Sequence, residues 1–150
     1  MKPVPELATI NGACHCGNIR LVLHWPESET NIPVRKCGCS FCQKHAAAWT
    51  SHGRAQLVVD IDDPALVSHY RFGTQTADFG ICRVCGVVPF ALSEIDNTRY
   101  AIVNASTLED VGRFSFSSSA TDFDGEDVDG RLTRRQRKWI SRVLINETGA

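Results

Sequence analysis

The sequence predicts a mainly β domain, stapled by zinc and carrying one amphipathic helix near its C-terminus. Three observations support this: short period-two hydrophobic stretches bounded by turn residues, seven cysteines clustered at metal-ligand spacings, and one late segment with apolar residues at helical spacing. At 150 residues and 43% hydrophobic, the chain suits a single domain over 1–150 with its own core. A net charge of −1 gives no steering toward nucleic acid or an anionic membrane, so neither is expected as a partner. The N-terminal MKPVPELATINGAC lacks a signal-peptide core, and no run approaches the roughly 18 apolar residues of a membrane span. A soluble, cytoplasmic protein is expected.

Residues 1–11 read as a loosely held lead-in. In the GACHCG run that follows, Cys14 and Cys16 lie two apart, so an extended backbone aims both sulfurs at one face and His15 at the other. Ile19, Leu21, Leu23 and Trp25 alternate with Asn18, Arg20, Val22 and His24, which predicts a half-buried strand. Residues 26–33 read as a polar loop leading through 34–36 into Cys37-Gly38-Cys39-Ser40-Phe41-Cys42. Three thiols in six residues, with small residues between them, can converge on one point.

Lys44 and His45 follow directly. His45 is read three ways: a fourth metal ligand, a general base, or only the first turn after the loop. Residues 55–61 and 67–72 predict further strands about the turn Asp62-Asp63-Pro64. Cys82-Arg83-Val84-Cys85-Gly86 has the spacing of a zinc knuckle, with Gly86 permitting the positive φ of the turn. Strands are expected at 87–92, interrupted by Pro89, and at 100–104. Residues 122–130, with five acids in nine positions, read as a solvated loop. From Leu132 the residues Leu132, Trp139, Ile140, Val143 and Leu144 fall on one stripe, with Arg134, Arg135, Arg137, Lys138 and Arg142 mostly off it. This predicts a helix over about 133–146, with Thr133 and Gln136 as a capping box and Gly149 as its stop. The expected arrangement is an apolar face docked on the sheet and a charged outer face.

The seven cysteines partition as two, three and two. Cys14 and Cys16 with Cys82 and Cys85 complete one tetrahedral zinc site, tying the first strand to a turn far along the chain. Cys37, Cys39 and Cys42 remain, with no cysteine left to join them. Three protein ligands and one exchangeable corner are the pattern of a catalytic zinc. The alternative is a closed site completed by His45, which would make the chain a non-catalytic, zinc-stabilised binding module with a nucleic-acid or protein partner; a nucleic acid would then be met by the basic 131–142 segment through Arg134, Arg135 and Arg137.

These motifs resemble the glutathione-dependent formaldehyde-activating enzyme family, which includes the centromere protein V relatives. The matching residues are Gly12-Ala13-Cys14-His15-Cys16-Gly17, the Cys37 to Cys42 run, Ala48-Trp49, Tyr70-Arg71-Phe72-Gly73, the Cys82 to Gly86 knuckle, and Val103-Asn104 followed by Leu108. They cover a core of about 12–110. The resemblance implies several small coiled antiparallel sheets and two zinc ions, a structural one on Cys14, Cys16, Cys82 and Cys85 and a catalytic one on Cys37, Cys39 and Cys42. It further implies a carbon–sulfur lyase that adds glutathione to formaldehyde or another small aldehyde, giving an S-hydroxymethyl adduct. Lys44 and His45 are the candidate catalytic proton carriers, and Lys36, Lys44, Arg54 or Arg83 could grip the substrate's carboxylates. The chain departs from the family pattern at Gln43 to Ala46, at Phe79 and Ile81, and at Glu109.

Overall fold

A computed structural model describes residues 6–121, 123 and 125–148. Two sheets carry the fold. The first contains β1 (Leu7–Ala13), β2 (Ile19–Pro26), β5 (Gln56–Ile61), β10 (Leu108–Glu109) and β12 (Arg142–Glu147), in the order β10-β1-β2-β5-β12. The second contains β3 (Asn31–Cys37), β4 (Trp49–Thr50), β6 (Val67–Tyr70), β7 (Asp78–Cys82), β8 (Phe90–Ile95), β9 (Thr98–Asn104) and β11 (Ser115–Thr121), in the order β11-β3-β4-β9-β8-β7-β6. The described residues also form the α-helices α1 (Ser40–His45) and α2 (Val128–Lys138). Among the described residues no helix is long and apolar enough to cross a membrane.

The alternation read from the sequence builds the main core. Ile19, Leu21, Leu23 and Trp25 on β2 are fully buried, and their register sets Leu21 opposite Val59 and Leu23 opposite Leu57. A one-residue slip would turn this face to water, so burial fixes the register. Ile10, Phe90, Val103 and Ile140 join the same cluster. A second cluster gathers Cys42, Trp49, Phe79, Ile102 and Trp139, and it forms the floor of the site described below.

Gly80 stands opposite Phe90 in the β7–β8 register, and the phenyl ring lies across it. A Cβ at Gly80 would come within 2.4 Å of the ring. Gly80→Ala is therefore expected to cost about 1–3 kcal/mol, the usual penalty for overpacking a core. A urea midpoint equal to that of the unmodified protein would contradict this packing.

Several expectations need correction. The strands form two large sheets, and two pairings are parallel, β11 with β3 and β12 with β5. Both late strands reach their partners by long crossovers, which permit parallel pairing where a tight hairpin does not. The supposed lead-in holds β1, paired with β2 along its whole length; residues 1–5 lie outside the described residues. The loop read over 26–33 ends early, because β3 begins at Asn31. The strand expected at 87–92 begins at Phe90, after Pro89, whose carbonyl accepts from Asn104 N at 2.8 Å. Proline has no N–H for a ladder.

The helix expected over 133–146 is displaced. It starts at Val128, capped by Asp127, whose Oδ1 accepts from Gly130 N at 2.7 Å, and not by the Thr133 and Gln136 pair. It ends at Lys138, where Trp139 turns extended with ψ 161°. The chain then bridges Ile140 to Ala101 and runs as β12 along β5. Val143 and Ile145 are β-branched and suit a strand, and β12 covers backbone groups that β5 would otherwise leave at a sheet edge. Leu144, placed on the helical stripe from sequence, is 56% exposed. Gly149 lies outside the described residues, as do Asp122 and Asp124 of the acidic loop.

Candidate metal centres and an arginine-lined cavity

The first sulfur cluster joins the β1–β2 connection to the end of β7. The sulfurs of Cys14, Cys16, Cys82 and Cys85 all lie within 4.8 Å of one another. Cys14 Sγ is 3.8 Å from Cys16 Sγ, which is 3.5 Å from Cys82 Sγ. A zinc tetrahedron with Zn–S bonds of about 2.3 Å has edges of about 3.8 Å, so the spacing fits such an ion. Gly17 and Gly86 adopt φ of +86° and +80° just after each cysteine pair, the left-handed geometry that turns backbone amides toward the sulfurs. Ile19 N donates to Cys14 Sγ at 3.3 Å, and Cys85 N donates to Cys82 Sγ at 3.5 Å.

Without an ion the four thiols divide electrostatically. Burial pushes Cys14 up to about 12 against the Ile19 amide's opposing bond. At Cys85 burial also raises the pKa, but backbone bonds from Val87 and Cys16 and the thiols of Cys82 and Cys14 outweigh it and bring the value to about 6.

The second cluster sits where β3 runs into α1. The sulfurs of Cys37, Cys39 and Cys42 lie within 4.8 Å of one another, and no His, Asp, Glu or further Cys joins them among the described residues. None of the seven cysteines is in a disulfide. Cys39 is the N-cap of α1, its Sγ accepting from Cys42 N at 3.4 Å, so the helix start and the convergence of sulfurs are one structure. Cys42 is buried and receives the indole N–H of Trp49 at 3.3 Å. A hydrogen bond shared with Cys37, together with burial, raises the Cys42 thiol, while the Trp49 bond opposes this. These three sulfurs could hold a thiophilic ion with one corner open.

Trp49 is itself held in place. β4 pairs Trp49 with Asn104, whose Nδ2 donates to Val88 O at 3.0 Å and whose Oδ1 accepts from Ala48 N at 3.3 Å. The Ala48-Trp49 and Val103-Asn104 motifs thus form one support that aims an indole at a sulfur. Phe79 and Phe72 stack near this indole, with Phe79 5.7 Å from Trp49 and 5.5 Å from Phe72.

The three sulfurs line a cavity of about 360 Å³, within the range of small-molecule sites, roughly 300–1,000 Å³. Its apolar wall includes Trp49, Phe72, Phe79, Ile102 and Trp139. Its polar wall carries Arg35, Arg131, Arg134 and Arg135, with Glu126 the one acid among the described residues. Arg134 grips Glu126 through Nε and Nη2 and lies 3.7 Å over the Phe123 ring. Arg135 is 5% exposed and donates to Thr76 O at 3.1 Å, Thr76 Oγ1 at 2.8 Å and Ser93 Oγ at 3.1 Å. Burial, then Arg134 and Arg131, lower its pKa to about 10. Burial and Arg134 likewise lower that of Arg35.

The sequence-derived candidates divide. The seven cysteines form the two clusters. Lys44 and His45 do not line the cavity; both are exposed on α1, and the His45 ring rests 4.5 Å from Phe41. Among the described residues His45 is not grouped with the three sulfurs. Lys36, Arg54 and Arg83 are also exposed and off the cavity wall, Arg54 pairing with Glu29 and Arg83 with Ala65 O. Sequence reasoning missed the arginines that do line it. Arg131, Arg134 and Arg135 are spaced i, i+3, i+4, which puts them on one helix face, and that was the available signal.

A family model described as glutathione-dependent formaldehyde-activating enzyme matches residues 9–123. No curated protein matches the chain. Among solved structures, the chain is similar to a Rhodobacter sphaeroides protein known from its crystal structure. The two are 25% identical over 71% of this chain and 99% of that one, with a TM-score of 0.45.

Proposed function

Because the chain belongs to the glutathione-dependent formaldehyde-activating enzyme family, we propose that it adds a thiol, glutathione in the first instance, to formaldehyde or a similar small aldehyde. The reverse of this step is carbon–sulfur cleavage, so the activity is that of a carbon–sulfur lyase. The observation that carries this reading is the convergence of Cys37, Cys39 and Cys42 on a cavity wall, with no fourth ligand among the described residues.

A zinc ion on these three sulfurs would supply one thing, ionisation of the incoming thiol, which has a free pKa near about 8.5 and is only a few per cent thiolate at pH 7. The chain's own residues do the rest. Trp49 donates to Cys42 Sγ and fixes its direction. Phe72, Phe79 and Trp139 exclude water from one side, and the arginine wall offers donors to an anionic substrate. In the reaction the substrate sulfur attacks the aldehyde carbon, a C–S bond forms, and the carbonyl π pair moves to oxygen. The oxygen takes one proton, so thiol and aldehyde become an S-hydroxymethyl adduct with no oxidant. No proton is routed through Lys44 or His45, which lie off the wall.

The test is exchange NMR with ¹³C-formaldehyde and glutathione at equilibrium. With the zinc-loaded protein, exchange between free aldehyde and adduct should quicken in proportion to protein concentration. A rate equal to that in buffer sinks the reading.

A further inference from the structure

We propose that α2 is the specificity element of this cavity and selects thiols that carry a carboxylate, gripped chiefly by Arg131 with Arg35. The inference rests on the reading that a thiol enters at Cys37, Cys39 and Cys42. The matched family segment ends at residue 123, and α2 spans Val128–Lys138, so the helical arginine wall lies outside the matched segment.

Among the described residues that wall carries four arginines and one acid. Among the described residues Glu126 is the only acid lining the cavity, and it pairs with Arg134. Among the described residues the hydrogen bonds of the other three arginines go to neutral groups, Arg35 to Ser51 Oγ at 3.0 Å, Arg131 to Phe123 O at 3.0 Å, and Arg135 to Thr76 and Ser93, while the Cys37 sulfur acts on Arg35 as a nearby charge. Partly buried cations whose hydrogen bonds go to neutral groups favour an incoming anion, and the fork of an arginine suits a carboxylate.

A second observation is independent of charge. The buried side-chain nitrogens and oxygens without a hydrogen-bond partner among the described residues are Thr121 Oγ1, Arg131 Nε and Arg135 Nε. All three belong to residues of this one cavity wall. Buried polar groups are nearly always satisfied, and a cluster of exceptions at one place points to a polar ligand there.

The arginines have separable parts. Arg135 is locked to Thr76 and Ser93 and lies over Trp139 at 4.8 Å, so it pins α2 to the sheet and acts as a positioning residue. Arg131, one turn earlier, is carried to the wall by that anchor. Arg35 lies two residues before Cys37 on β3, and both line the cavity, as the period of a strand allows. A ligand with its sulfur at the triplet thus has arginines within the same cavity for its carboxylate.

The test uses the full-length, zinc-loaded protein and S-methylglutathione, whose sulfur is capped, beside the diethyl ester of the same compound. Calorimetry should give at least about tenfold tighter binding for the acid, the scale of one charge-assisted contact. Arg131→Met should bring the two within about threefold with metal content unchanged, and Arg131→Lys should restore part of the difference. Equal dissociation constants for acid and ester in the wild type, a comparison that needs no variant, overturn the inference. Acid-selective binding without faster adduct exchange would overturn the enzyme reading and leave the carboxylate site standing. Faster exchange with no acid preference would do the reverse.

Discussion

Cys82→Ser is expected to leave the chain largely unfolded. Cys82 is 1% exposed, sits at the end of β7, and brings its sulfur within reach of Cys14, Cys16 and Cys85. The four residues join parts of the chain about 70 residues apart, so closing that loop is left to this cluster and the β-ladders around it. Zinc binding to such sites is worth about 10–16 kcal/mol in small zinc peptides, whereas a whole domain is stable by only about 5–15 kcal/mol. Loss of one thiolate of four removes much of the first quantity, which exceeds what the rest of the fold can spare. The check is far-ultraviolet circular dichroism with metal content. A folded, cooperative variant that holds as much metal as the wild type would show that this cluster is not the staple.

Cys39→Ser should have the opposite profile, a fold preserved and an activity lost. Cys39 caps α1, and serine is among the strongest capping residues, so the helix start keeps its partner at Cys42 N. What disappears is one sulfur of three at the open cluster. At pH 7 an unassisted thiol is about 3% ionised, so loss of thiol activation alone should slow adduct formation by at least about 30-fold. Loss of positioning adds to this. The melting temperature should stay close to that of the wild type. A variant with full thiol-dependent turnover would separate the reaction from the triplet, while one that fails to fold would make the triplet a second staple.

What the sequence made legible depended on whether local pattern and final environment agree. β2 and β5 bury one clean face, so period-two alternation marks them. The cysteine groups have the membership their spacing suggests, because a metal-sized cluster needs close residues on tight turns. β11 carries no sequence signal for a physical reason: Ser115 through Ala120 are all exposed, so the strand has no apolar face to advertise and exists through its backbone pairing with β3. The apolar residues at 139, 140, 143 and 144 fit one helical stripe across α2 and β12, while the pairing with β5 that decides the matter is a tertiary fact. The same holds for the site. The pattern of basic residues in α2 suits one solvated face, yet Arg135 is 5% exposed, since it bonds Ser93 on β8 and Thr76 in the loop before β7. Lys44 and His45 are near the triplet in sequence, but α1 turns them outward.

The central claim is that the Cys37, Cys39 and Cys42 cluster is an open metal site that accepts the substrate's thiol. Cobalt-substituted protein titrated with glutathione tests it most directly, because each thiolate that joins the metal adds to the sulfur-to-cobalt charge-transfer absorption. The account predicts a saturable rise in that absorption, absent in Cys39→Ser. A wild-type spectrum unchanged at saturating glutathione would contradict it.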